Sequence, residues 1–162
     1  MGSGNIGATN ITRVFGWYAG ALVFLIDFLK GCVPLLVVKH YLPEDTRALS
    51  VVGTCLVLGH CFSLFLKFRG GKGVATSVGC IAVVAPWAAG GATLVYLTLL
   101  LITRISAVGS LGGIATMLGY LIFCRPPAYV TWLVICLSFV VVIRHHSNIR
   151  RLVEGIKAKR AS

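Results

Sequence analysis

Carboxylates are scarce in this chain: Asp27, Glu44, Asp45 and Glu154 are the only acids among 162 residues, against 15 Lys and Arg, for a net charge of +11. No carboxylate or Cys/His cluster has the spacing of a metal site, so no metal and no cofactor is expected. The acids are also too few and too poorly placed to orient a histidine in a Ser-His-Asp arrangement, which disfavours an acyl-serine. The six cysteines, Cys32, Cys55, Cys61, Cys80, Cys124 and Cys136, lie in or beside apolar segments without a Cys-x-x-Cys pair. They read as small core residues, not as a disulfide framework or a zinc site. No charged start and apolar h-region of a cleavable signal precedes Gly2-Ser3-Gly4-Asn5. An aromatic-interleaved basic patch is absent too, so the positive charge does not point to nucleic acid.

What the chain has in abundance is apolar length. Hydrophobic residues make up 57% of it, charged residues 12%, and mean hydropathy is +0.92. A bilayer core of roughly 30 Å needs about 20 apolar residues per helix. The candidate runs are Trp17 to Leu42, Leu49 to Leu66, Val74 to Thr103, Ala107 to Cys124 and Tyr129 to Ile143. The third is interrupted by Pro86-Trp87-Ala88-Ala89-Gly90-Gly91 and reads as a hairpin of two short helices. The expected fold is therefore all-α, a polytopic transmembrane bundle with six crossings. Splitting the third run puts Arg13, Lys67, Arg69, Lys72, Arg104, Arg144, Arg150, Arg151, Lys157, Lys159 and Arg160 on one face. Only Lys39, Arg47 and Arg125 fall on the other. The richer face is expected to be cytoplasmic. Asp27 and Lys30, three residues apart, can pair on one face of the first helix.

The polar stretches carry the chemistry. Gly2-Ser3-Gly4-Asn5-Ile6-Gly7-Ala8-Thr9-Asn10 with Arg13 matches G-x-G-x-x-G formally, but no strand precedes it, so the dinucleotide reading fails. Its glycines still let backbone N–H groups approach an anion. In Gly59 to Thr76, Gly71-Lys72 hints at a P-loop; Gly73 after the lysine and Leu66 at the place of the first glycine exclude one. A glycine-flanked lysine at a helix start nonetheless suits phosphate. Lys67 and Arg69 read more simply as interfacial anchors. In Arg144 to Gly155, His145 and Asn148 are three apart and can share a helical face. The outlying Arg150, Arg151, Lys157, Lys159 and Arg160 read as lipid-facing charges. Arg104-Ile105-Ser106-Ala107-Val108-Gly109-Ser110 offers a further hydroxyl.

Taken together, GSGNIGATN with Arg13, GHCFSLFLKFRGGKGVAT and RHHSNIRRLVEG resemble, in order, the three motifs of the bacterial acyl-phosphate-dependent glycerol-3-phosphate acyltransferases, the PlsY family. The resemblance implies a seven-helix membrane enzyme whose first helix precedes the first motif. This chain begins at that motif, so it is expected to be one N-terminally truncated membrane domain with six of the seven helices. Glycerol 3-phosphate and acyl phosphate are the implied substrates, with membrane lipids and the acyl-phosphate-producing enzyme as partners. Ser3, Asn5, Asn10, Arg13, His60, Lys72 and Thr76 match the family's substrate-phosphate-binding positions. Ser110, His145 and Asn148 match its catalytic ones. Ala107 stands where the family has a serine, His146 where it commonly has Arg, and Gly155-Ile156-Lys157 where it continues Gly-Thr-Glu.

An acyl phosphate is already activated, so such an enzyme mainly holds two phosphates close and brings a hydroxyl to the carbonyl. A small membrane transporter for a phosphorylated anion is the rival reading. It is weakened by the lack of an evident inverted repeat and by polar loops gathered on one face. A non-catalytic membrane partner is the third.

Overall fold

The structure, a computed structural model, describes residues 5–161, with side chains described for residues 5–155. Among these residues regular structure is helical throughout: α1 (Ala8–Phe15), α2 (Trp17–Tyr41), α3 (Thr46–Cys61), α4 (Val74–Val84), α5 (Pro86–Thr103), α6 (Ser106–Cys124), α7 (Ala128–Arg144) and α8 (His146–Ala161). A single 3-10 turn, Leu64–Leu66, follows α3. The expected apolar segments are all present, as α2 to α7. Four spans are long and apolar enough to cross a membrane: α2, Thr46–Leu66, α5 and α6. The pair formed by α7 and α8, bent by 58°, makes a fifth. Short of these, α4 has 11 residues, a rise of about 16 Å.

Local signals set the boundaries. Asp45 N-caps α3 by accepting from the Ala48 N–H at 3.0 Å. Pro86 opens α5 at its first position, where a missing N–H is harmless. The break between α4 and α5 is therefore the single residue Ala85. The supposed turn cluster Trp87 to Gly91 is helical. The glycine-rich start also differs from an open loop, since Ala8–Phe15 forms α1. Gly16, at φ 89°, then reverses the chain so that α1 folds back along α2. Gly20 of α2 has room for no Cβ beneath the Thr12 side chain.

Small residues bring the helices together, as expected where lipid gives no hydrophobic drive between them. A Cβ on Gly31 of α2 would collide with the Thr76 carbonyl of α4, and one on Gly79 of α4 with the Phe28 carbonyl of α2. On the α5–α6 hairpin, Gly109 lies against Tyr96 and Gly113 against Ala92. The central core, including Leu35, Val57, Ile81, Leu133, Val134 and Leu137, joins α2, α3, α4 and α7. Asp27 and Lys30 form the expected ion pair at 3.0 Å, and all six cysteines are free.

Two ends of the bundle emerge from the loop contacts. At one, Ser50 Oγ donates to the Tyr129 carbonyl at 2.8 Å and Lys39 Nζ to the Val83 carbonyl at 3.0 Å. At the other, Thr9 meets Ser106 at 3.0 Å and Arg144 reaches Gly70 and Gly71. The three glycine- and asparagine-bearing motifs are collected at this second end.

Candidate active site

The glycine loop is the centre of the site. Gly70, Gly71 and Gly73 are buried, and Gly73, at φ 81°, N-caps α4 in the left-handed region. Lys72 therefore stands immediately before the positive end of a helix, where backbone N–H groups are unpaired. Arg144 Nε donates to the Gly71 carbonyl at 3.1 Å and Nη2 to the Gly70 carbonyl at 2.7 Å. Burial, then the positive charges of Arg151, Arg144 and Arg13, push the Lys72 ammonium below the usual lysine pKa. Four cations from α1, the loop, α7 and α8 thus converge, and none of them is ion-paired to an acid among the described residues; the only such pairings are of Asp27 with Lys30 and His60, and of Glu154 with Arg150. Such a field calls for an anion.

His145 ends α7, and its Nδ1 lies 2.8 Å from the Val141 carbonyl. A carbonyl can only accept, so Nδ1 carries the proton and Nε2 of the neutral ring keeps its lone pair. Only 1% of His145 is exposed, and it lies within electrostatic reach of Lys72. Asn148 belongs to α8 and not to the helix of His145; the 58° bend separates them, and the Asn148 N–H donates to the His145 carbonyl at 2.9 Å. Its Oδ1 is buried without a hydrogen-bond partner among the described residues. A buried acceptor of this kind normally has a donor.

In the first motif, Asn5 Oδ1 accepts from the Gly7 N–H at 2.8 Å and Asn10 Nδ2 donates to the Asn5 carbonyl at 2.8 Å, which curls the segment ahead of α1. Arg13 is in the last turn of α1. Ser3 lies outside the described residues. Ser110 is buried and its Oγ donates to the Ser106 carbonyl at 3.0 Å. Thr76 is fully buried on α4, with Oγ1 unpaired among the described residues.

The sequence matches the family described as glycerol-3-phosphate acyltransferase over residues 1–155. The chain belongs to that family. It is 42% identical to the glycerol-3-phosphate acyltransferase of Anaeromyxobacter dehalogenans over 163 residues, covering 98% of this chain and 81% of the relative. With the enzyme of that name from Aquifex aeolicus it shares 38% over 155 residues, 96% of this chain and 81% of the relative. Its fold is similar to crystal structures of PlsY, an integral membrane glycerol 3-phosphate acyltransferase. The glycerol 3-phosphate form superposes with a TM-score of 0.90 at 38% identity, over 95% of this chain and 77% of that one. The lysophosphatidic acid form gives 0.89 at 38% identity, over 94% and 78%. This acyltransferase chain is thus an integral membrane protein with an all-helical bundle.

One family-predicted residue, His60, approaches the cationic centre from behind the glycine loop. His60 Nδ1 lies 3.5 Å from Asp27 Oδ1, and its ring backs onto Gly71. Sequence reasoning also overlooked contributors: Arg151, taken for a lipid-facing charge, bears on Lys72, and Arg144 grips the loop backbone. Ser106, next to the Ala107 departure, ties α1 to α5 and α6 through Thr9 at 3.0 Å and Tyr96 at 3.1 Å. Its place one residue before Ala107, where the family has a serine, was the one available signal.

Proposed function

We propose that this chain transfers a fatty acyl group from an acyl phosphate to the sn-1 hydroxyl of glycerol 3-phosphate, yielding 1-acyl-glycerol 3-phosphate and inorganic phosphate, the first step of phospholipid synthesis. The convergence of Arg13, Lys72, Arg144 and Arg151 beside His145 carries this reading. Arg13 and Lys72 clamp phosphate. Ser3, Asn5, Asn10, Thr76, Ser110 and Asn148 orient the substrates, the unpaired Oδ1 of Asn148 being suited to a glycerol hydroxyl. His60 supports the glycine loop from the side of Asp27. Two acceptors are available for the hydroxyl proton: Nε2 of His145 and a phosphate oxygen of the substrate. The carbon–oxygen bond to phosphate breaks as the new ester forms, so phosphate itself is the leaving group.

The test is phosphate release from purified acyl phosphate, with and without glycerol 3-phosphate, joined to a rapid quench with radiolabelled donor. Release that requires acceptor, with no acylated protein, is expected for direct transfer. Stoichiometric acylation at Ser110 or Ser3 that is discharged by acceptor would establish a ping-pong route instead.

Lys72 gives the reaction a pH dependence. Because its pKa is lowered, it loses its proton at a lower pH than an ordinary lysine. The KM for glycerol 3-phosphate therefore rises on the alkaline side before exposed lysines titrate. Lys72→Arg, charged throughout, flattens that limb; an identical limb in the variant would assign it to another group.

The active site faces the cytoplasm from the bacterial inner membrane, where the acyl-phosphate-producing enzyme supplies donor. The excess of cations at the motif end supports this orientation. In a Cys-free background, single cysteines at Thr9, Arg69 or Arg150 resist an impermeant thiol reagent in intact cells, whereas those at Asp45 or Pro127 react. Labelling at Arg150 from outside would reverse the assignment.

A further inference from the structure

Two charged side chains outside the phosphate-clamping set converge on the loop that carries Lys72. On one side, Asp27 of α2 is 7% exposed and holds two partners, Lys30 Nζ at 3.0 Å and His60 Nδ1 at 3.5 Å. The imidazole of His60 in turn lies so close to Gly71 that any Cβ there would collide with it. The His60 carbonyl also accepts the Gly71 N–H at 3.3 Å. On the other side, Arg144 of α7 takes the carbonyls of Gly70 and Gly71, its guanidinium 5.2 Å from the centre of the Phe62 ring. The peptide joining Gly70 and Gly71 is therefore held at both edges, its carbonyl by Arg144 and its N–H by His60. Because the next peptide is trans, fixing the Gly71 carbonyl on Arg144 turns the Lys72 N–H the opposite way.

We infer that Asp27 and Arg144 are positioning residues that brace the Gly70–Lys72 backbone from two sides, so that the Lys72 ammonium and amide meet the substrate phosphate in one fixed orientation. A glycine run has the largest backbone freedom to lose, so an unbraced loop would have to be ordered at every binding event. The brace performs that ordering in advance. Arg144 suits it because a planar fork can satisfy two adjacent carbonyls at once, which a single ammonium cannot. Asp27 acts through His60, which it keeps facing Gly71.

The inference rests on the acyltransferase reading for its catalytic consequence, but its structural content is measured separately. The full chain in lipid nanodiscs is compared with Asp27→Ala, Asp27→Asn, Arg144→Ala, Arg144→Lys, Lys72→Ala and the Arg144→Ala/Lys72→Ala double variant, with Arg150→Ala as an exposed control. The readouts are amide hydrogen exchange across residues 70–73, the Kd for inorganic phosphate and glycerol 3-phosphate by phosphorus NMR, and the KM. Asp27→Ala and Arg144→Ala are expected to speed exchange at Gly71 and to weaken both phosphate ligands on the order of tenfold, the scale of a lost charged hydrogen bond. Arg144→Lys does not rescue, whereas Asp27→Asn, which keeps an oxygen for His60, largely does. The double variant loses clearly less than the two single losses combined, because Arg144 acts in large part by orienting the Lys72 ammonium. Rescue by Arg144→Lys, additive losses, or unchanged exchange in variants that melt normally would each overturn the brace and leave Arg144 as one more direct cation. If the unaltered chain turns over no acyl phosphate, the proposed reaction falls, while exchange and phosphate binding still decide the brace.

Discussion

Lys72→Ala and Arg13→Ala each lower kcat/KM for acyl transfer by about 2–4 kcal/mol, or roughly 30- to 1,000-fold, the range for a buried charged donor acting on a developing anion. The expectation follows from the separate place each cation holds around the phosphate. Lys72 sits at the N-terminal end of α4, and the other cations near it belong to separate elements, α1, α7 and α8. Lys72→Ala also removes one of several mutually repelling charges, so the structure itself gains slightly while the reaction loses. Steady-state kinetics and thermal unfolding on the same samples separate the two. Activity within threefold of the unaltered protein in either variant would remove that residue from the phosphate clamp. His145→Ala is expected to fall further than His146→Ala, because only His145 is buried against Val141 with Nε2 free.

Gly79→Leu and Gly31→Leu are expected to destabilise the bundle by about 3 kcal/mol or more, with loss of folded protein in detergent. At both positions the obstacle to a Cβ is a backbone carbonyl of the facing helix, Phe28 for Gly79 and Thr76 for Gly31. Backbone cannot swing aside as a side chain can, so α2 and α4 must separate. That separation would also carry Thr76 and the loop before it away from Asp27. Gly90 and Gly119 provide the control, since nothing lies within 4 Å of a Cβ at either. Leucine there should cost less than about 1 kcal/mol and improve local helix propensity. Equal melting of Gly79→Leu and Gly119→Leu would show that the close approach does not hold these helices.

Apolar run length located α2, α3, α5, α6 and α7, because a transmembrane helix must satisfy its backbone internally and so announces itself by composition. The interruption before Pro86 was legible as well. Its form was not: Gly90 and Gly91 suggest a turn in water, yet glycine is tolerated in an apolar helix, and here Gly91 meets Thr116 of α6 while Gly90 faces open space. The Asp27–Lys30 pair could be read from spacing because both residues share one helix. By contrast, Asp27 with His60, and Arg144 with Gly70, join residues far apart in sequence. No periodicity encodes such partners; they depend on which faces pack. The same limit explains Arg151, which reads from its neighbours as a lipid-facing charge, yet after the 58° bend between α7 and α8 it bears on Lys72. His145 and Asn148, read as neighbours on one helical face, instead lie across that bend, joined by a backbone hydrogen bond.

The brevity of α4 has a consequence for how the bundle meets lipid. Eleven residues cover about half of a hydrocarbon core of roughly 30 Å. A lipid-facing helix of that length would suffer severe hydrophobic mismatch. Here α4 packs against α2, α3, α5 and α7, and Thr76, Ser77, Gly79, Cys80, Ile81 and Val83 are buried. Its truncated end is closed by Lys39, which bonds the Val83 carbonyl and places positive charge at the negative end of the helix dipole. Bilayer thickness is then sensed by the outer helices, whose tilt can adjust. The helix carrying the glycine loop answers only to its protein neighbours, so a change in acyl-chain length of the surrounding lipid places no direct length demand on the element that holds Lys72.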